Sequence, residues 1–301
     1  MSFSSDVKEE ICRQKLDRLC CAVAESYGVL LFCHTFAPDG IRITTENPAF
    51  AGRLPKLFKK AFGIAFDVLP PETAAGKRSF LITDKAKIGR IYAAFGDSAE
   101  NALVHHVNYA MLEEDCCRIS FLRGAFLAGG SVTDPEKRYH LELATTHRQV
   151  ERETFALMQE LGFSPKESAR AGNALLYFKQ SDAIADFLTA IGASVTGMTV
   201  ITARVEKEMR NTITRQINCD SANTDKTVAA AQEQLAAIRR FASLYGLDSL
   251  PEPLKDAALL RVANPAASLA DLARLSYPAV TKSCLSHRLK KIAALVAEEE
   301  K

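Results

Sequence analysis

The sequence passes through one order of elements twice, at an offset of about 96 to 101 residues, and this limits the fold more than any other feature. Leu19 to Phe32 reads as an apolar helix, Ile41 to Thr45 as an alternating strand, and Pro48 to Phe62 as an amphipathic helix closed by Gly63. Ser79 to Thr83 follows as a strand, and Ala86 to Phe95 as a short helix ending at Gly96. The second pass has an apolar helix, Cys116 to Ala128, a strand, Tyr139 to Thr146, and an amphipathic helix, Val150 to Leu161, closed by Gly162. A strand, Ala174 to Lys179, and a short helix, Ala183 to Ile191, then end at Gly192. Details recur with the order. Thr44-Thr45 matches Thr145-Thr146, and the doublets Cys20-Cys21 and Cys116-Cys117 open the two passes. The closing glycines suit helix C-caps, where the left-handed conformation carries no Cβ penalty. Two α+β halves about a pseudo-twofold axis, residues 1–110 and 111–205, account for the pattern.

Composition narrows the class of protein. With 48% hydrophobic and 25% charged residues over 301 positions, the chain reads as an ordinary soluble globular protein, and its cysteine usage suits the cytoplasm. The N-terminal stretch MSFSSDVKEE has no apolar signal region, and no run is long and apolar enough to span a membrane. A net charge of +2 is too small to imply a polyanion partner, so only local charge is informative. None of the eight cysteines forms a C-x-x-C pair. Adjacent side chains on a helix do not face each other, so neither doublet is by itself a good chelate. Buried reduced thiols are expected, with Cys219 packed, and no metal or cofactor.

After about Val205 the composition shifts. Residues 206–226 are rich in Asn, Asp, Ser and Thr and read as a polar connector. Asn218, Asp220 and Asn223 suit caps and turns. Residues 227–301 read as a helical domain, with helices at Thr227 to Tyr245 and Leu254 to Ala263. Within it, about 268–296, lies the pattern of a helix-turn-helix. Ser268 is an N-cap with Asp271 as its capping partner, and Leu269, Leu272, Ala273 and Leu275 give a short helix one apolar face. Ser276-Tyr277-Pro278 makes a turn. A second helix starting near Thr281 carries Leu285, Leu289, Ile292 and Val296 as its stripe. Lys282, Ser283, Ser286, His287 and Lys290 project away from that stripe, with Arg288 and Lys291 on its flanks. This is the chemistry of a recognition helix for double-stranded DNA, in which polar side chains meet base edges and cations neutralise phosphates. Ser268 and Thr281 belong to the same candidate contact surface.

These residues resemble the WhiA family of bacterial DNA-binding proteins. The most specific match lies in the connector, at Arg210-Asn211, Arg215, Asn218-Cys219-Asp220, Ala222-Asn223 and Lys226. Asn264-Pro265, Ser268-Leu269, Ser286 to Leu289 and Arg123 to Val132 also follow the family pattern. The resemblance implies a LAGLIDADG homing-endonuclease-like N-terminal domain ahead of the helix-turn-helix. It also implies roles in transcription regulation, cell division, chromosome segregation or sporulation control, at the nucleoid. A WhiB-type regulator or another protein is the partner it implies for the N-terminal domain. In the endonucleases each signature helix ends in a metal-holding acid. Here those positions fall at Cys33 and Gly129, one a poor ligand for a hard cation and the other with no ligand atom. Glu25 and Asp134 are the nearest acids, and neither is placed to substitute.

Three functions compete at this level. The first is a DNA-binding regulator that is not an enzyme, with Arg42, His140 and Glu142 on the strands as weaker surface candidates. The second is a metal-dependent endonuclease retaining its old chemistry. The third is a protein-interaction module in cell division. Arg210, Asn211, Arg215, Asn218 and Lys226 either touch phosphate or pin the domains together, with the structural role slightly ahead.

Overall fold

Periodic apolar residues bounded by Asn, Asp and Gly set the elements of the N-terminal half. Asn47 caps α3 by accepting from the Phe50 amide at 2.9 Å, and Gly63 ends that helix at φ 69°. Gly162 repeats the device at φ 84°. The computed structural model describes residues 2–71, 76–97 and 104–297, and the chain divides into two units, Met1–Lys207 and Glu208–Lys301. In chain order the elements are α1 (Phe3–Cys12), α2 (Leu19–Leu31), β1 (Thr35–Ala37), β2 (Gly40–Thr45), α3 (Pro48–Phe62), β3 (Arg78–Ile82), α4 (Lys85–Ala94), α5 (Asp115–Gly129), β4 (Gly130–Val132), β5 (Leu141–Thr145), α6 (Arg148–Glu160), β6 (Lys166–Arg170), β7 (Asn173–Phe178), α7 (Ser181–Ala190), α8 (Ser194–Tyr245), α9 (Glu252–Ala263), α10 (Leu269–Leu275) and α11 (Lys282–Ala297).

In the first unit two antiparallel sheets, ordered β1-β2-β3 and β4-β5-β7-β6, belong to the two passes of the duplication. Their alternation is visible in burial. Ile41 and Ile43 face the core while Arg42 is exposed, and Leu141 and Leu143 face it while Glu142 does not. The helices that open each pass, α2 and α5, cross with almost no room between them. A Cβ on Gly28 would lie 2.0 Å from the Phe121 carbonyl oxygen, and one on Gly124 would lie 2.0 Å from that of Glu25. One offset of 96 residues relates both glycines and both carbonyls, so the crossing repeats the duplication in space.

Four elements escape the sequence pattern. They are α1 and the strands β1, β4 and β6. The larger difference concerns residues 206–226, which are helical throughout as part of α8. Thr212, Thr214, Thr224 and Thr227 each turn their hydroxyl back to the carbonyl four residues earlier, at 2.8–2.9 Å. Polar side chains that compete with the helix in other settings are thus satisfied along it. Asn218, Asp220 and Asn223 cap nothing there, and Cys219 is exposed rather than packed.

The first unit also holds a half-buried histidine pair. His105 stacks on Phe36, and its Nε2 donates to the Phe36 carbonyl at 2.6 Å, while His147 lies edge-on to it at 4.5 Å between ring centres. Burial, reinforced by His105, holds His147 at about 4. An unfolded histidine titrates near 6.5. Between these values the unfolded chain binds a proton that the folded one refuses, so stability is full above about 6.5 and is lost as pH falls toward 4. Lowering the pH from 7 to 5 is expected to cost about 1 kcal/mol of stability after allowance for solvent screening. Urea unfolding at the two pH values measures this. A His147→Gln variant with the parent's full pH dependence would refute the assignment.

Candidate nucleic-acid interface

The second unit is built to hold one helix by one side. Leu285, Leu289, Ile292 and Val296 of α11 are all buried, against Leu254, Ala257 and Ala258 of α9, Leu272 and Ala273 of α10, and Ile238 and Phe241 of α8. Each such side chain stabilises the fold by about 1.5–3 kcal/mol before entropy is counted. Ser268 caps α10 through both functions of its hydroxyl, accepting from the Asp271 amide at 3.2 Å and donating to the Asp271 carboxylate at 2.7 Å. Thr281 does the same for α11 by accepting from the Cys284 amide at 3.2 Å. Both hydroxyls are therefore occupied in shaping the motif. Ser276 closes the turn, donating to the Ala273 carbonyl and accepting from the Val280 amide.

Opposite the buried stripe, Ser283, His287 and Lys290 form the outermost row, with Lys282 and Lys291 also exposed. One expected outward residue differs. Ser286 is half-buried on the shoulder of the stripe. Arg288, expected on the flank of the stripe, is half-buried there and lines a hollow of about 500 Å³ to which Glu252 and Asp256 of α9 also contribute. Leu275, read as part of the apolar face of α10, is 58% exposed, because the chain leaves the helix there before a fourth inward position can form.

Two features were hidden from the sequence. Arg261 is buried, donating Nε to Gln234 of α8 at 3.0 Å and Nη1 to the Ala267 carbonyl at 2.6 Å, so it fixes the loop before α10 against α8. Tyr277, in the turn, is 98% exposed. An exposed aromatic in a turn between charged helices was visible as a residue, but nothing in its spacing separated it from a packed one. Arg261 also lines a hollow of about 200 Å³ with Lys226, Ser268 and Lys282, which brings the polar stretch of α8 and the start of α11 to one place. On α8, Asn211, Arg215, Asn218 and Lys226 recur at helical spacing on one exposed face, with Arg210 off it.

The ends of α2 and α5 carry the positions expected to be degenerate. A Cβ on Gly129 would lie 2.4 Å from the Ala144 carbonyl oxygen and 3.2 Å from Phe32, so a longer side chain has no space there. The Cys33 thiol donates to the carbonyls of Leu30 at 3.1 Å and Thr35 at 3.3 Å, and burial pushes it up to about 12. The last carbonyls of the two helices are also engaged. Thr145 donates its hydroxyl to Leu31 at 2.9 Å, and Lys8 its ammonium to Leu127 at 3.0 Å. Glu25 is buried in a two-point pair with Arg53, at 2.6 and 2.9 Å, with Arg123 at 3.6 Å. Asp134 accepts from the Glu136 amide in a turn. On the second sheet Glu142 accepts from His140 at 3.1 Å and Arg170 at 3.3 Å, so that face is mixed in charge.

Two family models match in tandem, the WhiA LAGLIDADG-like domain over residues 118–210 and the WhiA C-terminal HTH domain over residues 213–296. The probable cell division protein WhiA of Ruminiclostridium cellulolyticum is 37% identical over 300 residues, covering 97% of this chain and 96% of that one. The chain belongs to the WhiA family. A second WhiA relative, from Alkaliphilus metalliredigens, is 34% identical over 314 residues, covering 99% of this chain and 98% of its own. The fold of full-length DUF199/WhiA from Thermatoga maritima matches 99% of both chains with a TM-score of 0.61 at 22% identity. The N-terminal LAGLIDADG domain of DUF199/WhiA, solved alone, matches 64% of this chain and 92% of its own with a TM-score of 0.50 at 20% identity. The WhiA HTH match starts within the polar stretch, so most of that stretch belongs to the helix-turn-helix domain as the family defines it. Among the described residues no helix is long and apolar enough to cross a membrane.

Proposed function

We propose that this WhiA-family chain is a regulator of cell division, chromosome segregation or sporulation that binds double-stranded DNA through α11 and does not cut it. One observation carries the reading. A helix pinned by four buried apolar residues presents Ser283, His287 and Lys290 outward, with Lys282 and Lys291 beside them. Such a helix enters a major groove with its polar row toward base edges and its cations toward phosphates. Lys226, beside Lys282, extends the cationic surface onto α8, and the face bearing Asn211, Arg215 and Asn218 continues it.

The ends of α2 and α5 support the absence of cleavage. Two-metal hydrolysis needs carboxylates to hold the ions. At these positions stand a glycine with no room for a side chain and a thiol held protonated, while Glu25 is committed to Arg53. The mixed charge around Glu142 favours a protein partner for the N-terminal unit, WhiB-type or otherwise, over a second DNA saddle.

The test uses the intact chain in two assays. Gel shifts with a genomic fragment library are expected to show binding that weakens about 30-fold or more between 50 and 200 mM salt, as for roughly three phosphate contacts. Supercoiled plasmid with Mg2+ or Mn2+ is expected to stay intact. Salt-insensitive or absent binding overturns the DNA reading. Nicking that disappears in Asp134→Asn would instead establish a nuclease.

A further inference from the structure

The cysteine doublets, poor chelates taken one at a time, meet in space. Cys20 and Cys21 lie in the first turn of α2, Cys116 and Cys117 in the first turn of α5, and the crossing of those helices brings both turns together. All four sulfurs lie within 4.8 Å of one another. Within each doublet the Sγ–Sγ distance is 4.0 Å. A zinc ion with four thiolates at about 2.3 Å has tetrahedron edges of about 3.8 Å, so the quartet already stands close to that geometry. An iron–sulfur cluster needs a wider cage than sulfurs this close provide, and four sulfur ligands around one centre select a soft ion.

The surroundings fit as well. A tetrathiolate around one divalent ion carries two net negative charges. The Arg18 guanidinium reaches Cys116 Sγ at 3.7 Å, and the amino ends of two helices add positive potential. Cys117 is buried, Cys21 and Cys116 are half-buried, and Cys20 is exposed, which leaves the ion a way in from solvent. The quartet sits at the opposite ends of α2 and α5 from Cys33 and Gly129, so it is unrelated to the positions where nucleases of this fold hold metal.

We propose that Cys20, Cys21, Cys116 and Cys117 form a structural site for one zinc ion that staples α2 to α5 across the duplication. Each thiol releases its proton to solvent and gives a sulfur electron pair to the ion. No oxidant takes part, and no disulfide forms. The site holds the first turns together at one end of the crossing, where the close glycine contact does so near its middle.

The test is anaerobic titration of the intact reduced chain with Co2+, then Zn2+. One equivalent of cobalt is expected to produce the intense visible absorption of tetrahedral cobalt thiolate, which one equivalent of zinc then bleaches. Zinc is further expected to raise the midpoint of thermal unfolding and to protect four cysteines from alkylation. Cys21→Ser and Cys117→Ser should each lose the cobalt spectrum, and a Cys33→Ser/Cys219→Ser/Cys284→Ser chain should keep it. Because the parent titration needs no variant, a misfolded mutant leaves the proposal exposed. Absence of the thiolate spectrum in the parent, its survival in both single variants, its loss in the triple one, or preferential uptake of iron overturns the assignment.

Discussion

Alanine at Gly28 or at Gly124 is expected to remove about 3 kcal/mol or more of the stability of the N-terminal unit, and valine to prevent its folding. The cause is a backbone contact, which side-chain adjustment cannot relieve. A methyl at either position would sit 2.0 Å from a carbonyl oxygen of the facing helix, and at Gly124 it would also lie 2.9 Å from the Val29 nitrogen. Relief requires α2 and α5 to move apart by more than an ångström. That opens a gap along the most buried surface of the unit, where Tyr27, Phe121, Leu122 and Ala125 pack, and forfeits dispersion over every facing pair. Gly52, inside α3, is the control. Nothing lies within 4 Å of a Cβ there, so Gly52→Ala should stabilise by about 0.5–1 kcal/mol through backbone entropy alone. Urea midpoints followed by circular dichroism separate the two cases. A Gly124→Ala protein within about 0.5 kcal/mol of the parent would mean that the helices do not approach this closely.

That crossing also shows where sequence reasoning succeeds. The repeated order of elements identifies α2 and α5 as equivalent helices, and the stripe in α11 identifies its buried face residue for residue, because both signals are periodic and repeated. Short elements carry no such signal. β1 and β4 have three residues each, and β6 reads KESAR, fully exposed and charged as an edge strand is, so no alternation marks it. The polar stretch before Thr227 is helical against its propensities, with its threonine hydroxyls satisfied back along the helix, an arrangement that composition does not register. Residues at the margin of a stripe were the least legible of the candidate site. Ser286 flanks Leu285 and is half-buried, and how far a residue at the edge of a stripe is covered depends on elements distant in sequence. The meeting of the cysteine doublets is of the same kind, since adjacency within one helix says nothing about what a crossing helix brings.

The charge of α11 gives the largest expected effect on binding. Lys282→Ala combined with Lys290→Ala should weaken DNA binding about 10- to 100-fold, nearly equally on all sequences. Both ammonium groups are exposed at opposite ends of the outward row, so they reach phosphates on either side of a groove in which the row lies. Removing two phosphate contacts should also make the dependence of log K on log salt shallower by about 2. His287 occupies the centre of the row and has no burial to anchor it elsewhere. His287→Ala is therefore expected to cost about 1–3 kcal/mol on the preferred site and much less on random DNA, which narrows the ratio between them. Ser286→Ala should do less than His287→Ala, because the half-buried hydroxyl is set back from the row. Arg288→Ala should act mainly on stability, because the side chain is half-buried against the hollow beside α9. Affinities measured against a preferred site and a scrambled one, each at several salt concentrations, distinguish these roles. If the double lysine variant kept the parent's salt slope, α11 would not be the element that lies against the phosphates.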